Sequence, residues 1–219
     1  MTTQTVTHHL TDALLMGYSA GTLPEAYNLA VAAHISMCDT CRARLAEFDA
    51  VGGALLEDCG ETSLAEDSLA QTMARIKSGA PAPKTAPAAP ARKGILPKPL
   101  QDYVGGDVEA IRWSPVGGGV KQAILKTSKE ASARLLYIPA GTAVPDHGHK
   151  GLELTLVLQG AFEDEDGRFG VGDIEVADDA VEHTPVADIS EDCICLAVTD
   201  APLRFKGLLP RLAQPFVKI

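Results

Sequence analysis

The stretch Ala33-His34-Ile35-Ser36-Met37-Cys38-Asp39-Thr40-Cys41 spells His-x3-Cys-x2-Cys. Helix positions four apart lie one turn apart on the same face, so His34 and Cys38 point together. Cys41 follows three residues later, within reach of the same point. Two thiolates and an imidazole at this spacing suit the soft, tetrahedral preference of zinc. A fourth ligand closes the shell: His9 is the first candidate and His8, beside it, the rival. A second constellation lies downstream. Gly141 is followed by His147-Gly148-His149, then Glu153, then Gly160. Strand residues two apart face the same side, so His147 and His149 converge. Glu153 enters that space after a turn at Gly151, and His183 belongs on a neighbouring strand. Three imidazoles and a carboxylate make a divalent-metal site. Cys193 and Cys195 are also two apart, a candidate redox pair if they face an interior near that metal. A direct disulfide between such close neighbours would be strained.

The elements that position these groups are legible in turn. Thr11 caps a short helix carrying Leu14, Leu15 and Tyr18, ending near Gly21. Thr22-Leu23-Pro24-Glu25 reads as a capping box opening a helix from about Pro24 to Met37, with His34 near its end. Asp39 is expected to cap a third helix over about 40–56. Ser63-Leu64-Ala65-Glu66 is a second capping box. It opens a fourth, amphipathic helix with Leu64, Leu69, Met73 and Ile76, able to pack in its own bundle or dock on a partner. Repeated Pro and Ala then mark an extended linker. Beyond Leu100 short strand-like runs appear: Ala110–Trp113, Gln122–Leu125, Ala133–Ile138, Leu154–Leu158 and Ile194–Val198. Glu163 to Gly167 reads as a hairpin turn. Many short, closely spaced strands indicate a sandwich or barrel. The expected architecture is an α + β two-domain chain: a zinc-binding bundle of about four helices over 1–78, a linker over 79–99 and an all-β barrel over 100–219.

The 219 residues carry a net charge of −10, which argues against a general nucleic-acid binder. The first 78 residues are net −6 and the linker +4, so an acidic helical head suits a basic protein partner. Five cysteines, odd in number and sparse, do not make a disulfide scaffold. No secretory signal and no apolar run of membrane-spanning length is visible. A cytoplasmic location, where thiols stay reduced, is expected.

Gly141 to Gly160, with His147, His149 and Glu153, resembles the first motif of the cupin family with every spaced position filled. The second cupin motif is partial: Gly167, Gly172 and His183 occur, without its proline-glycine pair and terminal asparagine in register. This resemblance implies a double-stranded β-helix barrel with the metal inside. The helical head, with His9, His34, Cys38 and Cys41, resembles the zinc-containing anti-sigma factors. Head, Pro/Ala linker and cupin-like tail together resemble the ChrR-type anti-sigma factors over nearly the whole chain. That family implies about two zinc ions per chain and a heterodimer with a sigma factor of the extracytoplasmic-function class. It implies a tail that senses singlet oxygen or organic peroxide; from the charge and the lack of a long apolar run, no direct contact with nucleic acid or membrane is expected. The competing expectation is a metal-dependent cupin oxygenase or isomerase with an accessory zinc-helical domain.

Overall fold

The computed structural model describes residues 5–79, 94–148, 150–202 and 204–205. Five α-helices occur among them, one more than the sequence suggested, together with twelve strands. Helix α1 (Asp12–Ser19) starts where expected, with the Thr11 side chain accepting the Leu14 N–H. Helix α2 (Glu25–Met37) follows Pro24, but the capping box is not made. The Thr22 hydroxyl donates to the Gly17 carbonyl instead, closing the α1–α2 turn. Helix α3 (Asp39–Glu57) is capped by Cys38 rather than Asp39: the Cys38 sulfur accepts the Cys41 N–H at 3.4 Å. Helix α4 (Ser68–Lys77) starts five residues after the expected Ser63 cap and buries none of its residues. Helix α5 (Lys98–Val104) was not foreseen; proline near its start and left-handed Gly105 at its end delimit it. Most of the Pro/Ala segment, residues 80–93, lies outside the described residues.

The remaining chain is β. The expected strand at 110–113 is absent; a 3₁₀ turn (Val108–Ala110) precedes β1 (Ser114–Gly117). A six-stranded antiparallel sheet contains β1, β2 (Val120–Leu125), β3 (Ser132–Ile138), β11 (Cys193–Thr199), β5 (Glu153–Gln159) and β8 (Ile174–Ala177), in that order. A three-stranded sheet orders β10 (Val186–Ala187), β6 (Ala161–Asp164) and β7 (Gly167–Gly170). Strands β6 and β7 form the expected hairpin, Asp164 opposite Gly167. A second small sheet orders β12 (Arg204–Phe205), β4 (His147–Gly148) and β9 (Glu182–His183).

Strand alternation divides the core in two. One face of the large sheet, with Ile138, Val157, Cys193 and Cys195, packs on Phe162 and Phe169 of the small sheet inside the barrel. The other face, with Leu135, Leu154, Leu156, Ile194, Leu196 and Val198, joins one continuous core with α1, α2, α3 and α5. Helix α2 is therefore apolar over most of its circumference, burying Ala26, Tyr27, Leu29, Ala30, Val31 and Ala33. Polar bonds reinforce this contact. The Tyr27 hydroxyl donates to the Leu152 carbonyl at 2.6 Å. Glu25 accepts the Tyr103 hydroxyl at 2.9 Å and the Ser128 N–H at 2.7 Å.

Candidate metal centres

The first centre forms where the segment before α1 crosses the α2–α3 junction. One ligand atom from each of His9, His34, Cys38 and Cys41 lies within 4.8 Å of the others. His9 Nδ1 is 3.3 Å from Cys38 Sγ and 3.7 Å from Cys41 Sγ. His34, Cys38 and Cys41 are buried. Both His34 ring nitrogens are fully enclosed, and among the described residues neither makes a hydrogen bond of good geometry, the Gly172 backbone giving only a weak contact; this is costly for a bare imidazole and suits one that ligates an ion. Burial pushes the His34 pKa down to about 4, against an upward pull from the Gly172 backbone and Asp173. The ring is thus neutral, the form that binds metal. Burial pushes the Cys41 thiol up to about 11, so an ion entering here displaces a proton. His8 is turned elsewhere: its ring lies tilted against Phe169 with centroids 4.2 Å apart, and Nδ1 lies 3.6 Å from Asp173 Oδ2. This set of residues could bind a metal, and of the two rivals His9 faces it.

The second constellation lies inside the barrel. Strands β4 and β9 pair so that His147 is opposite His183. Their Nε2 atoms approach to 3.2 Å. Each Nδ1 is engaged on the far side of its ring. His147 Nδ1 bonds the Pro145 carbonyl at 2.9 Å. His183 Nδ1 bonds Asp164 Oδ2 at 2.8 Å and lies 2.9 Å from Glu175 Oε1. Burial alone would lower the His183 pKa, but Glu175 and Asp164 outweigh it and raise the value to about 9. Burial, with Asp164 adding to it, lifts Glu175 to about 6 against the pull of His183. Two Nε2 atoms aimed at one point, with a carboxylate behind one ring, is the arrangement by which proteins orient metal-binding histidines. Glu153 opens β5, buried, and accepts the Thr155 hydroxyl at 3.3 Å. His149 lies outside the described residues.

Sequence reasoning missed Asp164 and Glu175. Glu175 was detectable as an acid in an otherwise apolar run, Ile174-Glu175-Val176; Asp164 was absorbed into an acidic turn. Cys193 and Cys195 share a face, as alternation required, and that face is the barrel interior, which the sequence alone leaves open. A hydrogen bond with Cys193, burial, and the Glu153 and Glu175 charges hold Cys195 firmly in the thiol form. A thiol so held is a weaker nucleophile than a thiolate. Cys59, by contrast, is exposed just beyond α3. An open cleft of about 820 Å³ lies between residues 125–132 and 199–202, with Arg134 on its wall; His147, Glu153 and His183 do not line it.

Known proteins are similar to this chain in sequence and in fold. The ChrR cupin-like domain family matches residues 101–203. The anti-sigma-E factor ChrR of Cereibacter sphaeroides is 59% identical over 219 residues, covering 98% of this chain and all of that protein. The crystal structure of Rhodobacter sphaeroides SigE in complex with the anti-sigma ChrR superposes with a TM-score of 0.77. It is 58% identical and spans 90% of this chain and 100% of that one. No helix among the described residues is long and apolar enough to cross a membrane.

Proposed function

The chain belongs to the ChrR family of anti-sigma factors, and from that membership we propose how it works. It binds and inhibits a sigma factor of the extracytoplasmic-function class, as a heterodimer, through its helical head. The observation that carries this reading is an apolar surface that no other described residue covers. On α4, Leu69, Met73 and Ile76 recur at helical spacing and are 75%, 43% and 67% exposed. Val51, Leu55 and Leu56 on α3 are exposed as well. Exposed apolar side chains grouped along one helix face mark an interaction site. In the crystal structure of a relative, the anti-sigma ChrR is in complex with SigE.

Zinc, about two ions per chain, suits both centres. His9, His34, Cys38 and Cys41 would supply four protein ligands, enough to close a zinc shell, which would stabilise the fold and leave no position for substrate. His147, His149, Glu153 and His183 would hold the second ion, with Asp164 and Glu175 fixing His183. We read the cupin half as the sensor of an oxidative signal, singlet oxygen or organic peroxide, rather than as an enzyme, and the protein as cytoplasmic. Cys193 and Cys195 are a reserve of thiol chemistry beside that centre. The deciding experiment is run-off transcription driven by an extracytoplasmic-function sigma factor of the SigE kind, with the full-length chain added. An equimolar amount should abolish it and co-elute with the sigma factor at 1:1. Undiminished transcription at tenfold excess would refute the reading.

A further inference from the structure

We propose that Asp173, on the cupin half, is a positioning residue for the head's metal centre, and that through it β8 couples the two centres. The argument starts from what fixes His9. Residues 5–11 form no helix or strand of their own, so local structure does not hold this ligand in place. Asp173 does. Its Oδ1 accepts the Thr7 N–H at 2.6 Å and the His8 N–H at 2.9 Å. Its Oδ2 accepts the Gly170 N–H at 2.8 Å, which keeps the carboxylate itself from rotating. The Ile174 N–H points back to the His8 carbonyl at 3.4 Å. The peptide immediately before His9 is thus docked on the start of β8. Charge-assisted bonds to two backbone amides are among the stronger a side chain makes.

The same turn also touches the helix that carries His34. A Cβ at Gly172, where φ is +90°, would lie 2.8 Å from Val6 Cγ2 and 3.8 Å from the Met37 methyl carbon. Backbone, the segment before His9 and the end of α2 meet there with no space to spare. Two residues further along β8 stands Glu175, 2.9 Å from the His183 ring. A strand rises about 3.3 Å per residue, so the Cα atoms of the two acids are separated by about 7 Å of stiff backbone. One carboxylate meets the histidine of the barrel; the other pins the peptide that aims the histidine of the head.

This coupling gives the proposed sensor a route to the head and rests on that reading for its purpose. Its test uses no sigma factor, so partner capture and coupling stand or fall separately. Full-length protein is loaded with cobalt(II). Thiolate-to-cobalt charge-transfer absorption reports the head alone, because the barrel ligands are imidazole and carboxylate. Decay of that band under excess EDTA gives the release rate. D173N should raise the rate about tenfold, the scale of a lost outer-shell contact. T7P removes both the Thr7 N–H and the Thr7 hydroxyl, which reach Asp173, without touching β8; it should also raise the rate, and it replaces D173N should that variant fail to fold. H183A, which releases Glu175, should raise the rate about threefold in the parent and leave it unchanged once the Asp173 contact is gone. Wild-type rates in both contact variants would overturn the positioning role. An H183A effect that is absent, or equal with and without the contact, would overturn the coupling.

Discussion

Replacing Leu69, Met73 and Ile76 together by alanine strips the apolar ridge from α4. Each change removes three heavy atoms, worth about 0.8 kcal/mol apiece on full burial. Scaled by the free exposures of 75%, 43% and 67%, the losses are about 1.8, 1.0 and 1.6 kcal/mol if the sigma factor covers the ridge completely. The total of about 4 kcal/mol corresponds to about a thousandfold in Kd. The fold should not change, because α4 buries none of its residues and alanine is the best helix former. Titration calorimetry against the sigma factor measures the affinity, and circular dichroism confirms an unaltered Tm. Loss of affinity by less than about tenfold, with the helix intact, would refute the assignment of this ridge to the partner.

Other expectations concern the two centres and their junction. Cys38→Ala deletes a ligand and the α3 cap at once; mass spectrometry under native conditions should show one bound zinc in place of two. In the metal-stripped protein, the unfolded chain takes up a proton on His34 that the folded head excludes down to about pH 4. Stability should therefore fall as pH drops from about 6.5 to 4, by up to about 3 kcal/mol, with a shallower slope in H34Q by denaturant titration. Asp164→Asn loosens His183 and should weaken metal binding in the barrel about tenfold to a hundredfold by chelator competition. Gly172→Ala meets both a left-handed backbone and the Val6 methyl at 2.8 Å. It should cost about 1–3 kcal/mol, seen as a lowered Tm.

Local chemistry was the most readable part of the sequence. Thr11 caps α1 because an oxygen three residues before an amide is a short-range fact. The β6–β7 hairpin follows from its turn residues, and the shared face of Cys193 and Cys195 from period two; that this face is the interior only the folded sheet decides. The errors share a cause. Cys38 displaced Asp39 as the cap of α3 because the fold places its sulfur over the Cys41 amide, a use that propensities for oxygen caps do not register. Ser63 and Glu66 spell a capping box with no apolar surface to hold a helix against it, so α4 begins later. Helix α5 spans seven residues, too few for a periodic signal, and exists because Leu100 is drawn into the core beside α2. Long-range partners were invisible. Asp173 and Asp164 read as ordinary turn acids, and only the folded chain brings one to Thr7 and the other to His183.

Tyr27 and its neighbours on α2 sit in a wall that belongs to both halves of the molecule. A protease that severed the connection between residues 79 and 94 would leave two fragments still clasped along that wall, migrating together until a denaturant was added. Covalent continuity and physical unity are thus separate properties in this chain, and cutting it at the joint would not by itself set the inhibitor free.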